Sequence, residues 1–105
     1  METLEFEFAG RQAPVAAADH ALAGVVSSGN LEVLIEQVDL GGSMRIVVRT
    51  AAVGFAATWR AVLADFSARH PLANVLVTIN DAGATPAVVS LRLDQAVETL
   101  QGDAA

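Results

Sequence analysis

The 105-residue sequence predicts an α+β domain in two layers. It consists of an antiparallel or mixed sheet of about four to five strands with two helices packed on one face. Three observations predict it. In the first half of the chain apolar residues alternate with charged or polar ones, the period of a strand with one buried and one wet face. The spacing turns helical from about Val53 and again from Pro86. The order is strands first, then helix, strand, helix, so sheet and helices each present an apolar face that the other covers. The length suits a single domain over residues 1–105, and no internal repeat is evident.

Leu4-Glu5-Phe6-Glu7-Phe8 opens the chain as a strand with Glu5 and Glu7 in water. These two carboxylates read as a solvated face, since no neighbour in sequence desolvates them for acid–base work. Residues 9–19 are rich in Ala, Gly and Pro, lack periodicity, and read as a surface connection that ends at His20. Ala21 to Val26 is a short apolar run, Ser27-Ser28-Gly29-Asn30 interrupts it, and Leu31 to Glu36 resumes as a strand, together a hairpin with a polar tip. A second turn at Asp39-Leu40-Gly41-Gly42-Ser43 leads into Met44 to Arg49, a third strand of that meander. Gly41-Gly42 feeds no helix and is therefore a turn, not a phosphate loop.

From Val53 to His70 the apolar residues Phe55, Trp59, Val62, Leu63 and Phe66 fall on one helical face, and Pro71 ends the run. At this spacing the aromatic side chains read as core in preference to a ligand-stacking stripe. Asn74 to Ile79 is a further strand, followed by a turn over Asn80 to Ala84 that takes in Asp81. The last helix starts at Thr85-Pro86, with Thr85 as N-cap and Pro86 in the first helical position, where its fixed φ fits. Its buried stripe is Val89, Leu93, Ala96, Val97 and Leu100.

Composition removes several classes of function. Cysteine is absent, which excludes disulfides, thiolate catalysis and thiolate metal sites. His20 and His70 lack the i,i+4 spacing that sets two imidazoles on one helical face, so no metal site is expected. The net charge is −6 and every strong cation is Arg, a balance that repels a phosphate backbone and argues against nucleic acid. No apolar run approaches the roughly 20 residues of a membrane span, and Met1-Glu2-Thr3-Leu4-Glu5 carries no basic signal region, so a cytoplasmic location is expected. His70 reads as a helix C-terminal residue stabilised by the dipole, and no base with an orienting group behind it stands out.

The hairpin tip is the one place where the chain projects a nucleophile toward other proteins. Biotin and lipoate require a tip lysine, which this sequence lacks, leaving the hydroxyls of Ser27 and Ser28. Val26-Ser27-Ser28-Gly29-Asn30-Leu31-Glu32-Val33-Leu34, with Asn80-Asp81-Ala82-Gly83-Ala84-Thr85-Pro86-Ala87-Val88-Val89-Ser90-Leu91-Arg92-Leu93-Asp94-Gln95, resembles the malonate decarboxylase delta subunit family, its acyl carrier proteins. Met1-Glu2-Thr3-Leu4 and Phe6-Glu7-Phe8 are similar too, so the likeness covers nearly the whole chain. The family motif reads Gly-Ser-Gly-Asp-Leu-Glu-Val-Leu; here Ser27 replaces its first glycine and Asn30 its aspartate.

The resemblance implies that Ser28 carries, through a phosphodiester, a prosthetic group derived from 2′-(5-triphosphoribosyl)-3′-dephospho-coenzyme A, with Ser27 as a second hydroxyl beside it. It implies a carrier without catalysis of its own. Acetyl and malonyl thioesters would be exchanged by an acetyl-ACP:malonate ACP transferase subunit and decarboxylated by malonyl-ACP decarboxylase subunits. A phosphoribosyl-dephospho-coenzyme A transferase would load the arm, and a malonyl-coenzyme A:ACP transacylase would charge it. The Gly83-Ala84-Thr85-Pro86 helix start is expected to cap itself or to offer free amides to an anionic part of the arm. Two rival readings are a structural adaptor that docks through its acidic surface, and a small hydrolase pairing Ser28 with His20 or His70.

Overall fold

A computed structural model describes residues 1–11, 20–21 and 30–100. Its elements are β1 (Glu2–Ala9), β2 (His20–Ala21), β3 (Leu31–Gln37), β4 (Ser43–Thr50), α1 (Ala56–Arg69), β5 (Val75–Asp81) and α2 (Pro86–Leu100). The strands form one mixed sheet in the order β1-β4-β5-β3-β2, with β4 and β5 parallel and the other neighbours antiparallel. A parallel pair needs a crossover, and α1 supplies it.

The period-two pattern sorts each strand as expected. Val33 and Ile35 of β3, Ile46 and Val48 of β4, and Val77 and Ile79 of β5 point into the core, while Glu32, Arg45, Arg49 and Asn80 point to solvent. On the edge strand β1 only Phe6 is fully covered; Leu4 and Phe8 are partly buried, because an edge strand has a neighbour on one side only. Glu5 and Glu7 are exposed, as the alternation predicts, and Glu7 faces Arg45 across the strands at 3.9 Å. A pair this open to water is a weak contributor to stability. The second layer comes from Trp59, Leu63 and Phe66 of α1 and Val89, Leu93, Ala96, Val97 and Leu100 of α2. Every residue of the stripe expected on α2 is buried.

The meander is a correction. β4 does not pair with β3; β5 lies between them and pairs with both. The link Val38–Gly42 is long enough to step over one intervening strand, a span of roughly 9.5 Å. Asn74, at the start of β5, holds it there. Its side-chain oxygen accepts from the Leu40 and Gly42 amides at 2.9 and 2.8 Å, its carbonyl accepts from Val38 at 3.0 Å, and its amide donates to Ser43 at 2.7 Å. Asn74 adopts φ 60°, a left-handed conformation that asparagine tolerates better than most residues. Asn74→Ala is therefore expected to destabilise the protein by about 2–3 kcal/mol: two lost hydrogen bonds at about 1 kcal/mol each plus backbone strain. Asn74→Gly should recover about 1 kcal/mol of that loss by relieving the strain. Urea unfolding of the two variants checks the order.

Smaller differences follow from the same packing. His20, expected in the loose connection, is in β2 opposite Glu36. Asn80 and Asp81, expected in a turn, are the last residues of β5. Phe55, expected on the buried stripe, is the N-cap residue of α1 and is 52% exposed. Of the expected connection over residues 9–19, residues 12–19 lie outside the described residues. Gly10 is pinned: its amide donates to the Gly42 carbonyl at 3.0 Å, and a Cβ there would stand 2.4 Å from the Ala73 Cα and the Leu72 oxygen. Gly10→Ala should cost about 1–3 kcal/mol through this backbone collision, read as a lowered melting temperature.

Candidate functional site

β4 and β5 run the same way and end at Thr50 and Asp81; β1 and β3 start at that same end, and both helices begin there. The carboxyl ends of parallel strands are where open sheets with helical crossovers leave a crevice, because the chain departs from neighbouring strands in different directions. Here the crevice is a cavity of about 300 Å³. Ala52 and Phe55 bound it from the loop after β4, and Thr58, Trp59 and Val62 from the first turns of α1. Gly83, Ala84, Pro86 and Val89 close it from the start of α2. The lining is mainly apolar.

Asp81 ties this end together. The carboxylate is buried, and it accepts from the Thr50 hydroxyl at 2.8 Å, from the Gly83 amide at 3.1 Å and from the Ala84 amide at 2.8 Å. Thr50 in turn accepts from the Ala52 amide at 3.0 Å, and the Asp81 carbonyl accepts from Ala51 at 3.0 Å. A buried carboxylate must be met by several donors, and these donors are the loops that lead into the cavity. Gly83 sits at φ 116°, which a side chain would strain, so the turn takes this path only with glycine. Glu2 adds a rim contact, its side chain accepting from the Gly54 amide at 3.2 Å.

At the start of α2 three amides are already engaged. Asp81 occupies those of Gly83 and Ala84, and the Thr85 hydroxyl accepts from Val88 at 3.3 Å as an N-cap. Capping accounts for these three donors. Sequence reading missed Asp81 because an aspartate before Ala-Gly-Ala looks like any turn residue; its burial follows from pairing with Leu31 and from the hydroxyl of Thr50.

The serines of the expected hairpin lie outside the described residues: residues 22–29, Ser27 and Ser28 among them, connect β2 to β3. The described strands on either side of them are antiparallel neighbours, His20 opposite Glu36 and Ala21 opposite Ile35. Asn30, where description resumes, is exposed, and its carbonyl accepts from the Ala82 amide at 2.8 Å. The segment therefore rejoins the sheet one residue away from the cavity wall at Gly83.

Neither histidine is near that point. His70 follows the C-terminal end of α1, with its amide donating to Phe66 at 2.8 Å and its ring nitrogen 3.1 Å from Asp94. Arg69 also donates to Asp94 and, at 2.9 Å, to Asp65; these bonds, Asp94 first, raise the Arg69 pKa and keep it a fixed cation. His20 pairs near the far end of β3. Seven residues of β3, roughly 23 Å of strand, separate that end from Asn30. Among the described residues no group of three or more His, Asp or Glu side chains is placed to hold a metal ion. No described helix is long and apolar enough to cross a membrane.

Residues 18–100 match the family described as malonate decarboxylase delta subunit. The chain is 63% identical over 102 residues to the malonate decarboxylase acyl carrier protein of Xanthomonas euvesicatoria pv. vesicatoria, covering 97% of each sequence. It is 57% identical over 100 residues to the protein of that name from Stenotrophomonas maltophilia, covering 95% of this chain and 94% of the relative. Its fold is similar to a chain in the crystal structure of a Pseudomonas malonate decarboxylase hetero-tetramer in complex with malonate. That match has a TM-score of 0.79 at 42% identity, over 95% of this chain and 99% of the other.

Proposed function

This chain belongs to the malonate decarboxylase delta subunit family, and on that premise we propose that it is the acyl carrier protein of a malonate decarboxylase complex, a subunit that carries the reacting group and leaves catalysis to its partners. Ser28 is the attachment residue. The observation that carries this assignment is the run Ser28-Gly29-Asn30-Leu31-Glu32-Val33-Leu34, which leads directly into β3 at the end of the sheet where the apolar-lined cavity lies.

The residues present suit a phosphodiester-linked arm derived from 2′-(5-triphosphoribosyl)-3′-dephospho-coenzyme A. The chain has no lysine for an amide link, and serine is the side chain that a phosphoryl group esterifies. When bound, the group supplies a thiol, whose thioesters exchange acyl groups and spread the negative charge that decarboxylation develops. The chain's own residues provide the platform. Leu31 is buried and paired with Asp81, and Asn30 is bonded to Ala82, so the downstream root of the serine segment is fixed to the core two residues from Ser28. Tethering on such a root makes each visit to a partner site intramolecular, which raises effective concentration without any new contact. The partners are a phosphoribosyl-dephospho-coenzyme A transferase that loads the arm, a malonyl-coenzyme A:ACP transacylase, an acetyl-ACP:malonate ACP transferase subunit and malonyl-ACP decarboxylase subunits. The location is the cytoplasm, where coenzyme A thioesters are used.

Intact mass of the chain purified from its own host tests the proposal, followed by fragmentation of the peptide that spans Ser27 and Ser28. The expected result is an increment of coenzyme-derived size on Ser28. An unmodified chain that still co-purifies with the complex would replace the carrier with a structural adaptor.

A further inference from the structure

Resting on the carrier reading above, we propose that the cavity between the starts of α1 and α2 seats the adenine of the arm, holding the arm's root on this domain so that only the pantetheine end ranges to partner sites. Position comes first. Asn30, two residues beyond Ser28, is bonded to Ala82 at 2.8 Å, and the next residues, Gly83 and Ala84, are cavity wall. Connectivity decides which part of the arm reaches it. From the serine outward the arm consists of phosphate, ribose and adenosine, and the thiol comes last, at the end of the pantetheine. A cavity beside the root therefore meets the base and not the thiol.

Size and lining agree with a base. At about 300 Å³ the cavity is at the small end of ligand pockets, which run roughly 300–1,000 Å³, so it takes one moiety and not a whole coenzyme-derived arm. The aromatic residues Trp59 and Phe55 line it together with Pro86 and Thr58. Sequence-tolerant binding of a base uses aromatic side chains. Phe55, one of the lining residues, is 52% exposed although it is the N-cap residue of α1. Free nucleotide need bind only weakly, because a short tether supplies an effective concentration on the order of millimolar.

Trp59 is the single tryptophan and lines the cavity, so its indole N–H gives one unambiguous resonance at this site. The experiment compares the bare chain with the chain modified by its transferase, both checked by intact mass, and titrates the bare chain with adenosine 5′-monophosphate and with pantetheine. Modification is expected to shift the resonances of Trp59, Val62 and Ala84, and the monophosphate to shift the same set while pantetheine does not. Ala52→Phe, which fills the cavity, and Phe55→Ala, which removes one exposed wall, should each weaken monophosphate binding at least tenfold and leave the mass increment intact. A modified chain with unchanged cavity resonances overturns the seat while the carrier reading stands. Shifts with pantetheine and none with the monophosphate assign the cavity to the other end of the arm and overturn it too. A chain that its transferase leaves at unmodified mass overturns the carrier reading and the seat together.

Discussion

Ser28→Ala is expected to abolish acyl loading: co-expressed with the modifying transferase, the variant should show no mass increment, and the reconstituted complex should decarboxylate malonate below detection. On the proposed carrier reading no other hydroxyl is expected to substitute, because an attached group would have to be presented in one register to each partner. Ser27→Ala should keep the increment and most of the turnover. Both variants should unfold at the wild-type midpoint within roughly 0.5 kcal/mol, which separates loss of attachment from loss of fold. Full loading of Ser28→Ala, or its transfer to Ser27→Ala as the inactive variant, would move the site by one residue.

Asp81→Ala should be the most destabilising single substitution at this end of the sheet. It removes the acceptor for the Thr50 hydroxyl and for the amides of Gly83 and Ala84, leaving donors without partners in a buried setting. With lost bonds to a charged acceptor valued at about 1.5–3 kcal/mol, and partial rescue by water at the loop, a total of about 3–4 kcal/mol is expected. Against a domain stability of roughly 5–15 kcal/mol that is a large fraction. The melting temperature should fall by roughly 12–32 °C, on a scale of about 4–8 °C per kcal/mol for a domain near this size. Asp81→Asn keeps one acceptor oxygen and should lose about half as much. Calorimetry on the two variants decides it; a drop under about 3 °C for Asp81→Ala would mean that Asp81 does not hold the loops. A Thr50→Val and Asp81→Ala double-mutant cycle then isolates their shared bond.

How the loops are held also bears on function. The same carboxylate that closes the sheet end orders the wall at Gly83 and Ala84. A variant that loosens Asp81 is therefore expected to disturb the ground on which the serine segment is rooted, through the Ala82 to Asn30 bond, before it unfolds the far end of the sheet at Asn74.

The sequence by itself determined which residues of the long strands and of α2 face inward: the alternation in β1, β3, β4 and β5 and the stripe from Val89 to Leu100 report burial directly, because the backbone period dictates it. The Thr85 cap and the family motif around Ser28 were legible for a related reason, being local chemistry at contiguous positions. Tertiary structure alone decided the strand order, the burial of Asp81, the exposure of Phe55 and the cavity between the helix starts. Periodicity says that a side chain is covered but not by what, and Val38–Gly42 is long enough either to turn back or to step across a strand. Asn74 selects the second path from 32 residues beyond Gly42, a contact that no local pattern encodes.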